Sequence, residues 1–366
     1  MTSDSALNEL GFYVLPGHTD SPGDALVEAR AGETLGLGAA FISERFNLKD
    51  AGVLSGAVGA VTDTLGIATA ATNHNTRHLL ATATMATTMH RLTGGRFALG
   101  LGRGFDFMFD IMNLPRVTNA QIEDAVGVYR RLWHGEAIMG HDGPAGSYPV
   151  LHQDAKFSED IPVILCALAE RTLERAGAVM DGIVLHTYFS DETLARSVAA
   201  VRRGAERAGR DPASVRVWSV LATIGDHIPH DAQMRKTVGR LSTYLQGYGD
   251  LLVRVNQWDP EVLIRFRADD VVGSIPGAID AIGTPEQLEH IATILPPEWL
   301  AAAAVGSPEA CAARVVDQFD AGADSVILHG ATPDELTPIV EAYRRARPAT
   351  MPSLPANPGW MSRPTS

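Results

Sequence analysis

The sequence is short of cysteine, of basic charge and of long apolar runs, and each shortage removes a class of protein. Only Cys166 and Cys311 occur among the 366 residues, too few for a disulfide framework and in keeping with a reducing cytoplasm. Neither stands as an obvious nucleophile. Thirty lysines and arginines face 43 acidic residues, a net charge of −13, which argues against a nucleic-acid or anionic-membrane partner. A few local arginines could still hold an anionic cofactor. No uninterrupted apolar run approaches the ~18 residues of a membrane span, and the polar, acidic start MTSDSALNEL does not read as a signal peptide. No strand carries a His-x-His pair and no His-Glu-x-x-His helix occurs, so no metal site and no metal-dependent hydrolase are expected. The expectation is a soluble cytoplasmic protein acting on a small molecule.

With 45% hydrophobic residues, the chain can bury a large core, and its organising stretch runs from Leu65 to Gly104. Residues 65 to 71 are small, β-branched or apolar, which suits a strand buried on both faces. Polarity returns at Thr72, Asn73 and His74. From His78 the period becomes helical through Leu79, Ala83, Ala86, Met89 and Leu92, until Gly94-Gly95 stops it. A second apolar strand, Phe97 to Leu101, ends in Gly102-Arg103-Gly104. Two buried strands joined by a helix form a βαβ unit, whose ligands sit beyond the carboxyl ends of the strands.

The rest of the chain repeats this unit. Strands are expected at Leu10–Leu15, Ala39–Ser43, Pro162–Ala167, Gly182–His186, Val215–Ile224 and Ser325–Leu328, alternating with helices. That pattern makes a (β/α)8 TIM barrel the economical fold, with a doubly wound sheet as the alternative. Arg45, His74, Arg103, His186, Asp226 and His329 each sit where an apolar strand stops, and in a barrel those ends share one mouth. Residues 1–348 are read as a single barrel domain. Residues 137–158 break the period and form an inserted hairpin or loop. Residues 227–306 read as helical with no strand, too long for a simple crossover, and form a lid or oligomerisation insertion. The proline-rich tail 349–366 is expected to be mobile.

Several pieces, in this order and spacing, resemble the luciferase-like flavin and deazaflavin oxidoreductases, and within them the branch that uses coenzyme F-420. They are Phe41-Ile42-Ser43-Glu44-Arg45-Phe46, Arg77-His78, the run from Leu92 to Gly102, and the passage from Ala176-Gly177 to Asp181-Gly182. The resemblance implies a luciferase-like barrel with insertions at the C-terminal mouth and hydride transfer between F-420 and a small organic substrate. Two alternatives stand beside it: an FMN-dependent monooxygenase fed by a separate reductase, and a non-catalytic F-420 carrier. A homodimer is also expected.

The resemblance further implies that the cofactor ring lies against a strand-three bulge with a non-prolyl cis peptide, placed by alignment at Ala68-Thr69 and flanked by Ala71 and Thr72. It places the phosphate side over Ala167-Leu168-Ala169-Glu170-Arg171, where a helix N-terminus favours an anion. Gly102, Arg103, Gly104 and Phe105 complete the expected cofactor contacts. Relatives often carry a histidine and a glutamate where this chain has Arg45 and Phe105. Arginine stays charged at working pH, so Arg45, beside Glu44, can stabilise negative charge but cannot shuttle a proton. Acid–base duty then falls to His74, His186 or His329. The plainer readings are a Glu44–Arg45 ion pair at the rim and hydrogen-bonded core histidines.

Overall fold

The computed structural model describes residues 6–17, 21–46, 48–104 and 106–362. Its strands are β1 (Leu7–Tyr13), β2 (Leu37–Ile42), β3 (Gly66–Thr69), β4 (Phe97–Gly102), β5 (Ile138–Gly143), β6 (Gly146–Leu151), β7 (Val163–Cys166), β8 (Gly182–Val184), β9 (Arg216–Gly225), β10 (Ala304–Gly306) and β11 (Ser325–His329). Eight of them, in the order β9-β11-β1-β2-β3-β4-β7-β8, form a parallel sheet that closes where β8 pairs with β9. This is the (β/α)8 barrel expected, and it rules out the doubly wound sheet, which has open edges.

The barrel interior fills by matching small residues to large ones. Ala39, Ala68, Ala70 and Ala98 surround Phe41 and Trp218 in one buried cluster, whose two rings meet edge to face at 4.8 Å. A Cβ on Gly11 would fall 2.6 Å from the Phe41 ring, so the bare backbone of β1 makes room for that side chain. A larger cluster lies between the strands and the outer helices.

The inserted segment 137–158 is the antiparallel hairpin β5–β6. The segment 227–306 is mainly helical but, contrary to the sequence reading, not free of strand: Ala304–Gly306 pairs with Thr223–Gly225 of β9. Its sequence, three residues after an alanine run, carries no alternation to betray it. The insertion buries Leu241, Leu245, Phe266, Leu288 and Trp299 as a continuation of that larger cluster, with Trp258 stacked on Trp299 at 4.4 Å. Its main helix, Arg240–Asn256, follows a π-helical turn at Arg235–Gly239. No helix among the described residues is long and apolar enough to cross a membrane.

In place of the mobile tail read from its prolines, residues 351–362 close the amino-terminal end of the barrel. Asn357 donates to the carbonyls of Gly95 and Phe97 at 2.7 and 2.9 Å, and Trp218 Nε1 donates to Pro358 O at 2.8 Å. Arg216, 0% exposed, lies over the Trp218 ring at 4.3 Å and donates to Asn357 O and Trp360 O at 3.1 and 3.2 Å. Prolines fix the backbone here so that its carbonyls face a buried guanidinium. Residues 363–366 lie outside the described residues.

Candidate active site

At the carboxyl ends of the strands the first fixed group is Glu44, just past β2. It does not pair with Arg45. Its carboxylate accepts from both Arg77 nitrogens, at 2.6 and 3.0 Å, and from the Thr72 hydroxyl, while Arg77 also reaches Thr72 Oγ1 at 3.0 Å and Asp50. The plain reading of a Glu44–Arg45 rim pair is therefore replaced by a Glu44–Arg77–Asp50 network, with Glu44 only 5% exposed.

Strand β3 stops at Thr69 rather than Ala71 because the chain bends there and rejoins the sheet at Thr72. Ala70 N still donates to Ile42 O, and Thr72 N donates to Gly100 O at 3.0 Å. The cis peptide is Ala70-Ala71, two residues beyond the Ala68-Thr69 position expected. The bend leaves a floor of small groups. A Cβ built on Gly102 would come within 3.0 Å of the Ala71 methyl, so no side chain rises there, while Asn73 holds the Gly102 carbonyl at 2.6 Å. A flat ring needs such a surface.

The opposite wall is aromatic and cationic. His329, at the end of β11, lies edge to face with Tyr13 at the end of β1, centroids 5.2 Å apart. It is 8% exposed, its Nδ1 has no partner among the described residues, and burial, then Arg240, His186, Arg45 and Lys236, hold it well below its ordinary pKa. His186, at the end of β8, places Nδ1 2.7 Å from Thr187 O and Nε2 2.7 Å from the Tyr248 hydroxyl, and burial lowers its pKa to about 4. Tyr244 stands edge-on to the same ring at 4.9 Å. Burial keeps the hydroxyls of Tyr13, Tyr244 and Tyr248 protonated. Arg240 pairs with Asp280 at 2.7 Å and donates to Pro16 O at 3.0 Å.

The structure thus gathers three of the expected catalytic residues, Arg45, His186 and His329, on one side, and sets Glu44 into its own network. His74 is elsewhere. It is buried, with an unpartnered Nδ1; burial lowers its pKa, and the charge that acts on it is Asp124, which binds His141 of the hairpin at 3.1 Å. Arg103 points outward: its guanidinium is half exposed, held by Val117 O at 2.9 Å and 3.9 Å from Asp106. Gly104 takes a positive φ of 68°, and Phe105 lies outside the described residues. Asp226 is exposed. Ala169 begins the helix Glu170–Val179 with no side-chain cap, beyond the buried Ala167 and partly buried Leu168. Glu170 is turned to Arg203 at 2.6 Å, and Arg171 is exposed.

Sequence reading missed Tyr13, Lys49, Arg77 and the insertion's own contribution. The signal for the last was present. Arg240, Tyr244 and Tyr248 recur every four residues, so they share one face of a helix, and a polar and aromatic stripe beside Leu241, Leu245 and Leu252 marks a face turned to something other than the apolar core.

A profile of the luciferase-like monooxygenase family matches residues 8–325. The chain is 24% identical over 307 residues to a 5,10-methylenetetrahydromethanopterin reductase of Methanolobus tindarius, covering 82% of this chain and 87% of that one. Its fold superposes on the coenzyme F-420-dependent tetrahydromethanopterin reductase of Methanopyrus kandleri with a TM-score of 0.76 at 19% identity, over 92% of this chain and 99% of the other. An F-420-dependent secondary alcohol dehydrogenase, solved with an F-420–acetone adduct, superposes with a TM-score of 0.68 at 18% identity, over 92% and 99%.

Proposed function

This chain belongs to the luciferase-like monooxygenase family, and on that premise we propose that it is an F-420-dependent oxidoreductase that transfers hydride between the deazaflavin and a small organic substrate. The names of its relatives support the cofactor. The observation that carries the reading is the contrast between the two sides of the mouth: a floor of Ala70, Ala71 and Gly102 beneath a wall of protonated hydroxyls and cations. The floor fits a planar ring, and the orphaned Nδ1 of His329 fits a bound molecule that would complete it.

The bound deazaflavin would supply a hydride acceptor or donor at C5. The wall's task is electrostatic. Tyr13 and Tyr244 offer hydroxyl protons, and Arg45 offers fixed positive charge, to whichever oxygen gains negative charge as hydride moves, an effect strengthened in a site screened from water. His186 and His329 are held neutral: His329 can take up a proton at its unpartnered Nδ1 only if its environment changes on binding, and His186 only by giving up the bond that Tyr248 makes to its Nε2. Ala167 to Arg171 would face the cofactor's phosphate, and the helices of 227–306 would cover the substrate or meet a second copy in a homodimer. The low cysteine content supports a cytoplasmic setting.

The family's description favours FMN-dependent monooxygenation as the second reading. Side-by-side absorbance titrations of the purified protein with F-420 and FMN test the choice. Tighter F-420 binding, with substrate turnover that consumes no oxygen, is expected. Tighter FMN binding with oxygen uptake overturns it, and cofactor binding without turnover of any alcohol, aldehyde, ketone or enone supports a carrier.

A further inference from the structure

Three cationic side chains converge on one loop. Lys49 Nζ donates to Val14 O and Leu15 O at 3.3 and 3.2 Å, Arg240 to Pro16 O at 3.0 Å, and Arg45 to Gly17 O at a long 3.4 Å. Four successive carbonyls after β1 thus collect three positive charges. Among the described residues only Asp280 pairs with any of them. Glu28 lies near Lys49 but outside ion-pair distance, its Oε2 accepts from Leu15 N at 2.6 Å, and burial raises its pKa to about 6. Lys236, the next cation, is already neutralised by Glu335 at 2.8 Å.

The cluster is also under-bonded. Arg240 is 8% exposed, yet its Nε has no partner, and Lys49 is 7% exposed and held to about 8 by burial and by Arg45. Arg45 is depressed by burial and by Arg240. Repulsion between like charges within a desolvated space is costly unless an anion offsets it. A purely structural role, pinning the loop 14–17, needs hydrogen-bond donors but not an excess of charge; neutral donors would hold four carbonyls as well.

We propose that Arg45, Lys49 and Arg240 bind an anionic group of the substrate, a carboxylate or a phosphate. The site is separate from the expected phosphate loop of the cofactor at 167–171, on the strand β1–β2 side of the mouth and beneath the insertion. The inference deepens the function proposed above, and rests on it only for the word substrate.

The test is calorimetric titration of inorganic phosphate and of acetate, at constant ionic strength, into the protein alone and into protein saturated with F-420. Saturable binding of one anion in both forms is expected, with at least a ten-fold loss of affinity in Arg45→Gln and in Lys49→Met, and with F-420 affinity in Lys49→Met within two-fold of the wild type. A preference for phosphate names a phosphorylated substrate and a preference for acetate a carboxylic one. No saturable binding of either anion, equal binding in the variants, or loss of anion binding when F-420 is present overturns the proposal. Among the described residues the Arg45 side chain makes one long hydrogen bond, so Arg45→Gln is expected to fold even if Arg240→Gln, which breaks a buried pair, does not. Failure of F-420 to bind would sink the cofactor assignment while leaving the anion titration of the protein alone as an independent reading.

Discussion

The Tyr248 hydroxyl lies 2.7 Å from His186 Nε2, while His186 Nδ1 lies 2.7 Å from the Thr187 carbonyl. A carbonyl can only accept, so Nδ1 carries the proton, Nε2 is the acceptor, and Tyr248 is the donor. One bond therefore ties the helix Arg240–Asn256 to the end of β8 and holds the histidine neutral. Tyr248 has non-helical dihedrals within that helix (φ −154°, ψ 36°), so the backbone itself is turned at the residue that makes the contact.

This arrangement makes stability depend on pH in a stated direction. His186 falls from an ordinary 6.5 to about 4 in the fold, so the unfolded chain binds its proton first as pH drops. The contribution is complete above pH 6.5 and is lost between about 6.5 and 4. A fully buried group would lose about 3 kcal/mol over that window; His186 keeps partial exposure, which screens part of it. Urea unfolding at pH 7.5 and pH 5 should show a smaller drop for His186→Gln than for the wild type. Equal drops would assign the pH dependence to other groups.

Arg77→Met should be costly because it leaves the Glu44 carboxylate buried without its cation. Breaking such a pair costs about 3 kcal/mol, whereas Glu44→Gln added to it should recover most of the loss, since the amide carries no charge to strand. A double-mutant cycle by chemical denaturation measures this. An Arg77→Met variant as stable as the wild type would show the network to be solvated.

Removing residues 349–366 should destabilise the protein severely. Arg216 would lose carbonyl acceptors from Asn357 and Trp360 in a site that water does not reach, and hydrogen bonds to charged groups are worth about 1.5–3 kcal/mol each. A fall in melting temperature of roughly 10 °C or more is expected. A truncated chain that melts with the full one would restore the reading of a dispensable tail.

The contrast between that tail and the barrel shows which information sequence carries. Eight buried strands and their helices were legible because burial on both faces writes a continuous apolar run, as in residues 65 to 71, and a periodic helix after it. The positions of Arg45, His186 and His329 at one mouth followed from strand ends alone. What stayed hidden depends on pairing across distance. Glu44 sits beside Arg45 in sequence but binds Arg77, and the Arg216 guanidinium donates to carbonyls about 140 residues away, a partnership with no local pattern. His74 ends a strand like the others, yet the bend at Ala70-Ala71 comes between strand and side chain, and its acting neighbour became Asp124.

The last prediction tests both ends of the cofactor separately. If the ring lies on the floor formed by the β3 bend and β4, Gly102→Val should block it: even the first carbon would stand 3.0 Å from the Ala71 methyl, and the branches must rise into the mouth. The variant strains only a methyl contact and puts a β-branched residue at a strand end, where it is tolerated, so the melting temperature should stay near that of the wild type. Affinity for F-420 should fall at least ten-fold. Arg171→Ala acts at the other end: its side chain is exposed, no cavity forms, and only the phosphate would lose a partner. A molecule without phosphate, the bare deazaflavin, should then bind Arg171→Ala and wild type equally, while Gly102→Val rejects both molecules. If Gly102→Val binds F-420 normally, the ring lies elsewhere in the mouth; if Arg171→Ala weakens the bare ring as much as the full cofactor, the loop 167–171 does not hold phosphate.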